Sequence, residues 1–428
     1  MCSSRTEAGA VVYDLVERRV FVADLEVGMY VSRLDCEWSD TTFPIQGVPI
    51  TSQDDIDRLA KFCKFVFVDL HRQATPERTI MRPSHVVAQA PPAPAAKPRP
   101  AVNPRLVARH AYRDSVAFDD EVPRAQEAFE GVARFAEHLV DDLRQGRAIE
   151  PGAVEKAVRP MVASLLRSSD AFFWIESLRH RDSYTYQHAV GCSTLAAAFG
   201  RHMGFADDVI VSLAAGGLLM DVGKVQMPEE LLSRDGPLND DEWGLARQHV
   251  GEGMAILDHS GVVDPEVRDM VLTHHERFDG SGYPGGLAGN EIPLPGRMAA
   301  IIDTYHAMSS PRPYRPAVSQ HLALRQLYAG RDTAFQGELV EQFQACLGVY
   351  PTGSLVELNT GEVAVVMVQN QARRLQPRVA VLTRADKGPR EDFLIVDLMN
   401  QADPVRREIL RTLPAGSHGI DPREFFIQ

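Results

Sequence analysis

The spacing of hydrophobic residues changes along this chain and divides it into regions with different predicted structures. Between residues 12 and 75, short apolar runs in VFVADLEVGMYVS are interrupted at Gly28, as expected for strands joined by a turn. DDIDRLAKFC (54–63) has apolar residues at three-residue steps and acidic residues at its start, which predicts a helix. FVFVDL (65–70) predicts a buried strand. We therefore expect a small α+β domain over residues 10–82, with a regulatory or a purely structural role.

Proline and alanine dominate the segment that follows, PSHVVAQAPPAPAAKPRPAVNP. Proline breaks helices and favours extended chain, and few of these residues offer a side chain that a core could bury. This composition predicts a linker over residues 83–108, which would give the N-terminal domain some freedom of position.

Helical spacing dominates residues 109–350. Segments such as PRAQEAFEGVARFAEHLVDDLRQG repeat apolar residues every three or four positions, and ADDVIVSLAAGGLLMDVGK is so apolar that it predicts the central helix of a bundle. From 351 to 428 the pattern changes to short β-type runs, SLVEL, EVAVVMV, RVAVLTR and DFLIVDL, separated by turn residues. The predicted fold is therefore mainly α, a helical bundle with a small N-terminal α+β domain and a short C-terminal β-rich extension packed on it.

Composition and charge narrow the functional classes. The chain has 428 residues and a net charge of −13, which argues against general nucleic-acid binding but allows a small phosphate ligand held by a few arginines. The five cysteines are scattered without CxxC spacing, as in a reduced cytosolic protein. The start of the chain resembles no signal peptide, and no run approaches the ~18 apolar residues of a membrane span. We expect a cytoplasmic protein.

The segment HHERFDGSGYPGG (274–286) carries the clearest chemical pattern. Adjacent residues on a helix point about 100° apart, so His274 and His275 can reach one centre only near a helix end. The glycines that follow allow the backbone to pass close to a ligand. A surface position for this histidine pair is the alternative.

Further ligand-type residues occur at helix-compatible positions on either side of this segment. They are His188, Asp221, His249 and Asp303. Four histidines and two carboxylates on separate helices suit a site for two Fe, Mn or Zn ions, with Asp221 as the natural bridge. Two metal ions a few ångströms apart activate a hydroxide and bind the oxygens of an in-line displacement at phosphorus.

Basic residues near these positions are candidates for phosphate binding. Lys224 follows Asp221 by three residues, and RPYR supplies Arg312 and Arg315 after Asp303. Arginine pairs with phosphate through two parallel hydrogen bonds. A dipole-stabilising role at a helix end for Lys224, and a turn-stabilising role for the two arginines, are the alternatives.

Several of these motifs together resemble the HD-GYP domain family. HHERFDGSGYPGGLAGNEIP and RMAAIIDTYHAMSSPRPYR resemble its signature, and DVGK (221–224) and YTYQH (184–188) fit its earlier motifs. VADLEVGMYVSRLD also resembles the small N-terminal domain often found ahead of HD-GYP domains in bacteria. The resemblance implies an HD-type helical bundle.

The same resemblance implies hydrolysis of the second messenger cyclic di-GMP to pGpG, GMP or both, at a centre of two divalent metal ions. The residues implied for the first metal are His188, Asp221 and Asp303. Those implied for the second are Asp221, His249, His274 and His275. The implied catalytic residues are Asp221 and Lys224, and the implied substrate contacts are Lys224, Gly282, Tyr283, Pro284, Arg312 and Arg315. The family also implies possible contacts with diguanylate cyclases, the GGDEF proteins.

The chain departs from the family at two positions. Tyr184 stands where some members hold a third metal through glutamate, so we expect at most two ions. Met220 stands where the family has the histidine of its His-Asp pair, and a thioether is a poor ligand for hard Fe or Mn ions. His306, three residues after Asp303, or His180 could fill that place, or water could complete a three-ligand site. A solvated His306 and a packed Met220 are the alternatives.

This departure leaves three functions open. The first is cyclic di-GMP hydrolysis, weakened by Met220. The second is a non-catalytic cyclic di-GMP receptor or protein-interaction module. The third is a phosphodiesterase that prefers linear dinucleotides.

Overall fold

The computed structural model describes residues 17–22, 25–34, 48–69, 103, 105–150, 152–178, 184–232, 234, 236, 238–310, 317–370, 373–401 and 405–420. The chain falls into two compact units, residues 1–94 and 95–428. The division lies inside the predicted linker, most of which is outside the described residues. The finer domain boundaries stay predictions.

The smaller unit is an antiparallel four-stranded sheet with one helix. Its elements are β1 (Glu17–Phe21), β2 (Tyr30–Leu34), β3 (Val48–Pro49), α1 (Gln53–Leu59) and β4 (Phe65–Asp69), and the strand order is β1-β4-β2-β3. Helix α1 begins where the Asp55 carboxylate accepts a hydrogen bond from the Ser52 backbone N–H at 3.1 Å. It ends four residues earlier than its apolar spacing predicted, so Phe62 lies in the following turn and is 39% exposed.

Helices form most of the larger unit. They are α2 (Phe118–Arg144), α3 (Ala153–Arg167), α4 (Ser169–Leu178), α5 (Tyr184–His202), α6 (Asp207–Leu219), α7 (Glu229–Leu232), α8 (Asp240–Arg247), α9 (His249–His259), α10 (Pro265–Thr273), α11 (Leu294–Ser309), α12 (Gln320–Ala329) and α13 (Gly337–Leu347). Short 3-10 helices lie at Val222–Gln226, Gly289–Glu291 and Ser417–Gly419. None of the helices in the described ranges has the length and apolar composition needed to cross a membrane.

Helix α6 is the central helix, as its apolar sequence predicted. Every residue from 209 to 219 is buried, and the helix packs against α3, α5 and α10. Gly217 allows a close backbone contact with α5, because a Cβ there would lie 2.6 Å from the carbonyl oxygen of Cys192. A helix that is buried on all sides fixes the position of the residues at its end, which are Met220 and Asp221.

The C-terminal residues form an antiparallel five-stranded sheet. Its strands are β5 (Leu355–Leu358), β6 (Val363–Val368), β7 (Arg378–Thr383), β8 (Pro389–Asp397) and β9 (Ile409–Leu413), in the order β8-β7-β6-β5-β9. Alternate residues point to opposite faces, so Leu355 and Val365 join the core of the helices while Val356 and Ala364 join a separate cluster. The sequence pattern missed β9, an edge strand with a single buried residue in which Leu410 is 67% exposed.

A buried carboxylate links this sheet to α4. Asp170 accepts hydrogen bonds from the Thr352 hydroxyl at 2.7 Å and from the Gln369 N–H at 3.0 Å. Burial raises the pKa of Asp170 to about 6, although both hydrogen bonds act in the opposite direction. The prediction of a small sheet packed on the bundle is confirmed.

Candidate metal centre

Helix ends position most of the candidate ligands. His188 lies in the first turns of α5, Asp221 follows the end of α6, and His249 is the first residue of α9. His274 and His275 follow α10 directly, as their pairing predicted, and Asp303 lies within α11. All six predicted ligand positions therefore lie at one place in the bundle, in two groups that share Asp221.

The group implied for the second metal is Asp221, His249, His274 and His275. One ligand atom from each residue lies within 4.8 Å of all the others. Nε2 of His249 and Nε2 of His274 each lie 3.5 Å from Oδ1 of Asp221. That oxygen is buried, and among the described residues it has no hydrogen-bond partner. A buried carboxylate oxygen without a hydrogen bond is costly unless a cation is beside it.

The tautomers of two histidines support a cation at the same point. Nδ1 of His249 lies 2.6 Å from the Ala246 carbonyl oxygen, and Nδ1 of His274 lies 3.0 Å from that of Val271. Only a protonated nitrogen can donate to a carbonyl, so each neutral ring has its lone pair on Nε2. These two Nε2 atoms face each other at 3.3 Å. Two lone pairs that face each other repel. A metal ion bound by both Nε2 atoms would turn this repulsion into attraction.

The group implied for the first metal is His188, Asp221 and Asp303. Nε2 of His188 lies 3.1 Å from Oδ1 of Asp303 and 3.4 Å from Oδ2 of Asp221. Asp221 thus directs one oxygen to each group, the arrangement expected of a bridging carboxylate. The residues fit two divalent ions by donor type and burial. Their assignment as ligands stays a prediction.

The charge states of the site suit ligand chemistry. Burial lowers the pKa of His249 to about 4, and burial together with His274 holds that of His275 well below its usual value. Both rings are therefore neutral near pH 7, the form that binds a metal. Burial alone would raise the pKa of Asp221, but Lys224 and the neighbouring histidines hold it well below its usual range. Asp221 is therefore ionised.

His188 has a different charge environment. Burial alone would lower its pKa, but Cys192, Asp221 and Asp303 beside it raise the pKa well above its usual value. A positive charge is therefore favourable between the two carboxylates. A divalent cation can supply that charge in place of a proton.

Lys224 lies at the edge of the two groups. Its Nζ donates a hydrogen bond to Oδ2 of Asp221 at 2.6 Å. The 3-10 helix that carries it packs tightly on α9, since a Cβ at Gly223 would lie 1.9 Å from the His249 carbonyl oxygen. The lysine charge thus lies beside Asp221, and its phosphate role stays a prediction.

The GYP loop forms one wall of the centre. The Tyr283 ring stacks on His275, with centroids 4.7 Å apart. Gly282 is required there, because a Cβ would lie 2.3 Å from the Arg277 backbone nitrogen. The buried Glu276 carboxylate accepts hydrogen bonds from the N–H groups of Gly285 at 2.6 Å and Leu287 at 3.0 Å. Glu276 therefore orders the loop.

The sequence reasoning missed one basic residue at this wall. The Arg247 guanidinium lies 5.0 Å from the centre of the Tyr283 ring and 5.6 Å from that of Trp243. Its position two residues before His249 was the available signal. The predicted phosphate contacts Arg312 and Arg315 lie outside the described residues.

The structure decides two of the alternatives for the missing family histidine. Met220 is 1% exposed and belongs to the main hydrophobic core, so it packs. The alternative of a solvated His306 is wrong. The residue is half-buried, and its Nδ1 lies 3.0 Å from Nδ1 of His188, the ring nitrogen that faces away from Asp221 and Asp303. His180 lies outside the described residues.

Comparison with known proteins agrees with this geometry. Residues 163–339 match the family described as HD domain, and residues 17–154 match a domain of unknown function, DUF3391. The chain is 33% identical over 371 residues to the cyclic di-GMP phosphodiesterase PA4108 of Pseudomonas aeruginosa, with 86% of each chain covered. The chain belongs to the HD-GYP family. The resemblance seen in the sequence is thus confirmed for both the HD-GYP domain and the small domain ahead of it.

Other relatives match a smaller share of the chain. The protein named cyclic di-GMP phosphodiesterase from Thermotoga maritima is 33% identical over 165 residues, which is 38% of this chain and 45% of that one. The protein named 3'3'-cGAMP-specific phosphodiesterase 2 from Vibrio cholerae is 34% identical over 164 residues, 38% of this chain and 31% of that one. The names of the relatives thus cover two related cyclic dinucleotides.

Proposed function

We propose that this HD-GYP protein is a metal-dependent phosphodiesterase that hydrolyses cyclic di-GMP to pGpG, GMP or both. The observation that carries the proposal is Asp221, whose two carboxylate oxygens face two separate groups of ligand-type side chains. The name of the relative that matches most of the chain supports cyclic di-GMP as the substrate.

Each group would hold one divalent ion of the Fe, Mn or Zn type. His188, Asp221 and Asp303 form the first position, and Asp221 with the three remaining histidines forms the second. When bound, two such ions supply Lewis acidity for water activation and for charge neutralisation at phosphorus. The second position offers four ligands and the first offers three, so we expect the first to bind its ion more weakly.

The other residues of the centre bind and orient the substrate. Lys224 places a positive charge beside Asp221, where it can pair with a phosphate oxygen once a metal shares the carboxylate. Tyr283 presents an aromatic face next to His275, and the GYP loop of Gly282, Tyr283 and Pro284 would contact a guanine. Phosphate binding by Arg312 and Arg315, a cytoplasmic location and contacts with diguanylate cyclases stay predictions from the sequence.

A receptor without turnover is the second candidate. Met220 favours it, because this buried thioether replaces a histidine ligand and leaves the first position with three ligands. An occupied second position alone would still hold the nucleotide phosphate without completing the two-metal arrangement.

Metal content and turnover measured on the same preparation separate these candidates. The protein would be purified without chelator, its metal ions counted per chain, and hydrolysis of cyclic di-GMP and of 3'3'-cGAMP followed with added Mn²⁺ or Fe²⁺. His249→Ala should remove the second ion and activity. The matched control is His259→Ala, an exposed histidine on the same helix, which should keep both.

Each outcome has a defined meaning. Two ions with hydrolysis of cyclic di-GMP, both lost in His249→Ala, support the proposed enzyme. Nucleotide binding with one ion and no hydrolysis would make the protein a receptor. If 3'3'-cGAMP or linear pGpG is hydrolysed faster than cyclic di-GMP, the protein is a phosphodiesterase with a different preferred substrate.

A further inference from the structure

His306 contacts the candidate ligand His188 from the side opposite the two carboxylates. Its Nδ1 lies 3.0 Å from Nδ1 of His188, and the two rings meet edge to face with centroids 5.0 Å apart. Nε2 of His188 faces Asp303 and Asp221. The two nitrogens of the His188 ring therefore have different partners.

This geometry determines the direction of the hydrogen bond when a metal is bound. A neutral imidazole has one N–H and one lone pair. If Nε2 of His188 uses its lone pair on the metal beside Asp303, its proton is on Nδ1. That N–H then donates to Nδ1 of His306, the only arrangement in which both contacts are favourable.

The backbone of α5 is shaped to accept the His306 ring. A Cβ built on Gly191 would lie 2.0 Å from Nε2 of His306 and 2.5 Å from its Cδ2. Any larger residue at 191 would therefore displace the ring. Gly191 lies one helical turn after His188, so a single stretch of α5 carries both the ligand and the space for its partner.

A metal held by His306 itself is the competing interpretation. His188, Cys192 and His306 also have ligand atoms within 4.8 Å of one another, with Sγ of Cys192 3.6 Å from Nε2 of His188. That group shares only His188 with the group of Asp221 and Asp303. A neutral His188 cannot bind ions through both nitrogens, and the two carboxylates supply the negative charge that a divalent ion needs.

We propose that His306, in the space left by Gly191, is a positioning residue that orients His188 and fixes its tautomer for the first metal ion. This inference rests on the proposed two-metal centre. The partner of a ligating histidine typically contributes about 10–100-fold to metal affinity or activity. With Met220 in place of a ligand, the first position has only three ligands, so it depends strongly on the orientation of each.

Substitutions at His306 can separate hydrogen bonding from packing. The amide oxygen of His306→Asn would occupy the place of the imidazole Nδ1, whereas the amide of His306→Gln reaches the place of Nε2. We expect the weaker of two stepwise Mn²⁺ dissociation constants, measured by titration calorimetry on metal-free protein, to rise about 10–100-fold in His306→Gln and His306→Phe. In His306→Asn the weaker dissociation constant should stay close to its wild-type value. The tighter dissociation constant should not change in any of the three variants.

Gly191→Ala tests the same contact without altering His306. It should weaken the binding of the first metal ion, as His306→Gln does. The matched control is Gly131→Ala, a helical glycine whose added Cβ meets no atom within 4 Å and which should bind both ions normally. The visible absorption of bound Co²⁺ provides a second readout, because it reports the ligand set and its symmetry. It should change in Gly191→Ala and not in Gly131→Ala.

The possible results divide clearly. Unchanged metal binding in both His306→Phe and Gly191→Ala would overturn the proposal, as would equal losses in His306→Asn and His306→Gln. A thiolate-to-cobalt absorption band that disappears in Cys192→Ser would place the ion in the competing group. If the wild-type protein binds one ion, both this inference and the proposed two-metal enzyme are contradicted. Two bound ions without turnover would contradict the proposed enzyme activity but not the proposed role of His306.

Discussion

Glu276 offers a sharp test of how the GYP loop is held beside the metal centre. Its side chain is 1% exposed, and its two carboxylate oxygens accept hydrogen bonds from two different backbone N–H groups, those of Gly285 and Leu287. The substitution Glu276→Gln keeps the size of the side chain and replaces one acceptor oxygen by an NH₂ donor. One backbone N–H then loses its partner and faces another donor.

The expected cost follows from these two contacts. A hydrogen bond to a charged group contributes about 1.5–3 kcal/mol, and a buried donor left without a partner costs about 1–3 kcal/mol. We therefore expect the free energy of loop opening to fall by about 3 kcal/mol in Glu276→Gln. Since about 1.4 kcal/mol is a factor of ten, the loop should open about a hundredfold more often.

Hydrogen exchange of the 283–288 backbone is the direct assay. The amides of Gly285 and Leu287 should exchange about a hundredfold faster, those of the buried helix α6 should not change, and the metal content should be retained. Hydrolysis of cyclic di-GMP should fall, because Tyr283 loses its fixed place on His275. Asp279→Asn is the control, since within the described residues its exposed carboxylate accepts hydrogen bonds from its own turn, at Ser281. Unchanged exchange at 285 and 287 would refute the reasoning.

Three further predictions concern single positions. Met220→His should bind the first metal ion about 10–100-fold more tightly by calorimetry, and no gain would show that the position does not reach the ion. Gly282→Ala should lose hydrolysis while retaining both ions, because the new Cβ would meet backbone at 2.3 Å; normal turnover would contradict the close approach. Burial raises the pKa of Glu176 from 4.5 to about 8, so the folded chain keeps a proton that the unfolded chain loses in that window. The contribution of Glu176 to stability should therefore be lost as pH rises from about 4.5 to 8. Between these pH values the stability of the wild type, measured by thermal unfolding, should fall relative to that of Glu176→Gln, and parallel pH profiles of the two proteins would contradict this.

The prediction of secondary structure succeeded where local pattern was sufficient. Helix α6 is apolar throughout its sequence, and only full burial suits such a helix. Strands β5 to β8 are rich in branched apolar residues, so their sequence identifies them without tertiary information. Strand β9 has mainly exposed or half-buried residues, because it pairs at the sheet edge with β5, and its sequence therefore resembles a loop.

The candidate ligands could also be predicted from the sequence, because metal chemistry limits the residue types and helix geometry limits their spacing. The pair His274 and His275 requires a helix end, and the structure places it directly after α10. The His-His-Glu and GYP motifs further identified the family. Local sequence thus determined the residue types at the centre and the family to which the chain belongs.

Only the tertiary structure decided how those residues face one another. Whether Met220 is packed or exposed depends on the elements around α6, and the side chain is buried in the main hydrophobic core. His306 and His188 are 118 positions apart in the sequence. Their contact also depends on a third residue, Gly191, whose lack of a side chain leaves space for the His306 ring. Such contacts form when helices pack against one another, so the periodicity of a single helix does not predict them. The sequence determined the chemical groups, and the packing of α5, α6 and α11 determined which ring nitrogen and which carboxylate oxygen each group presents to the centre.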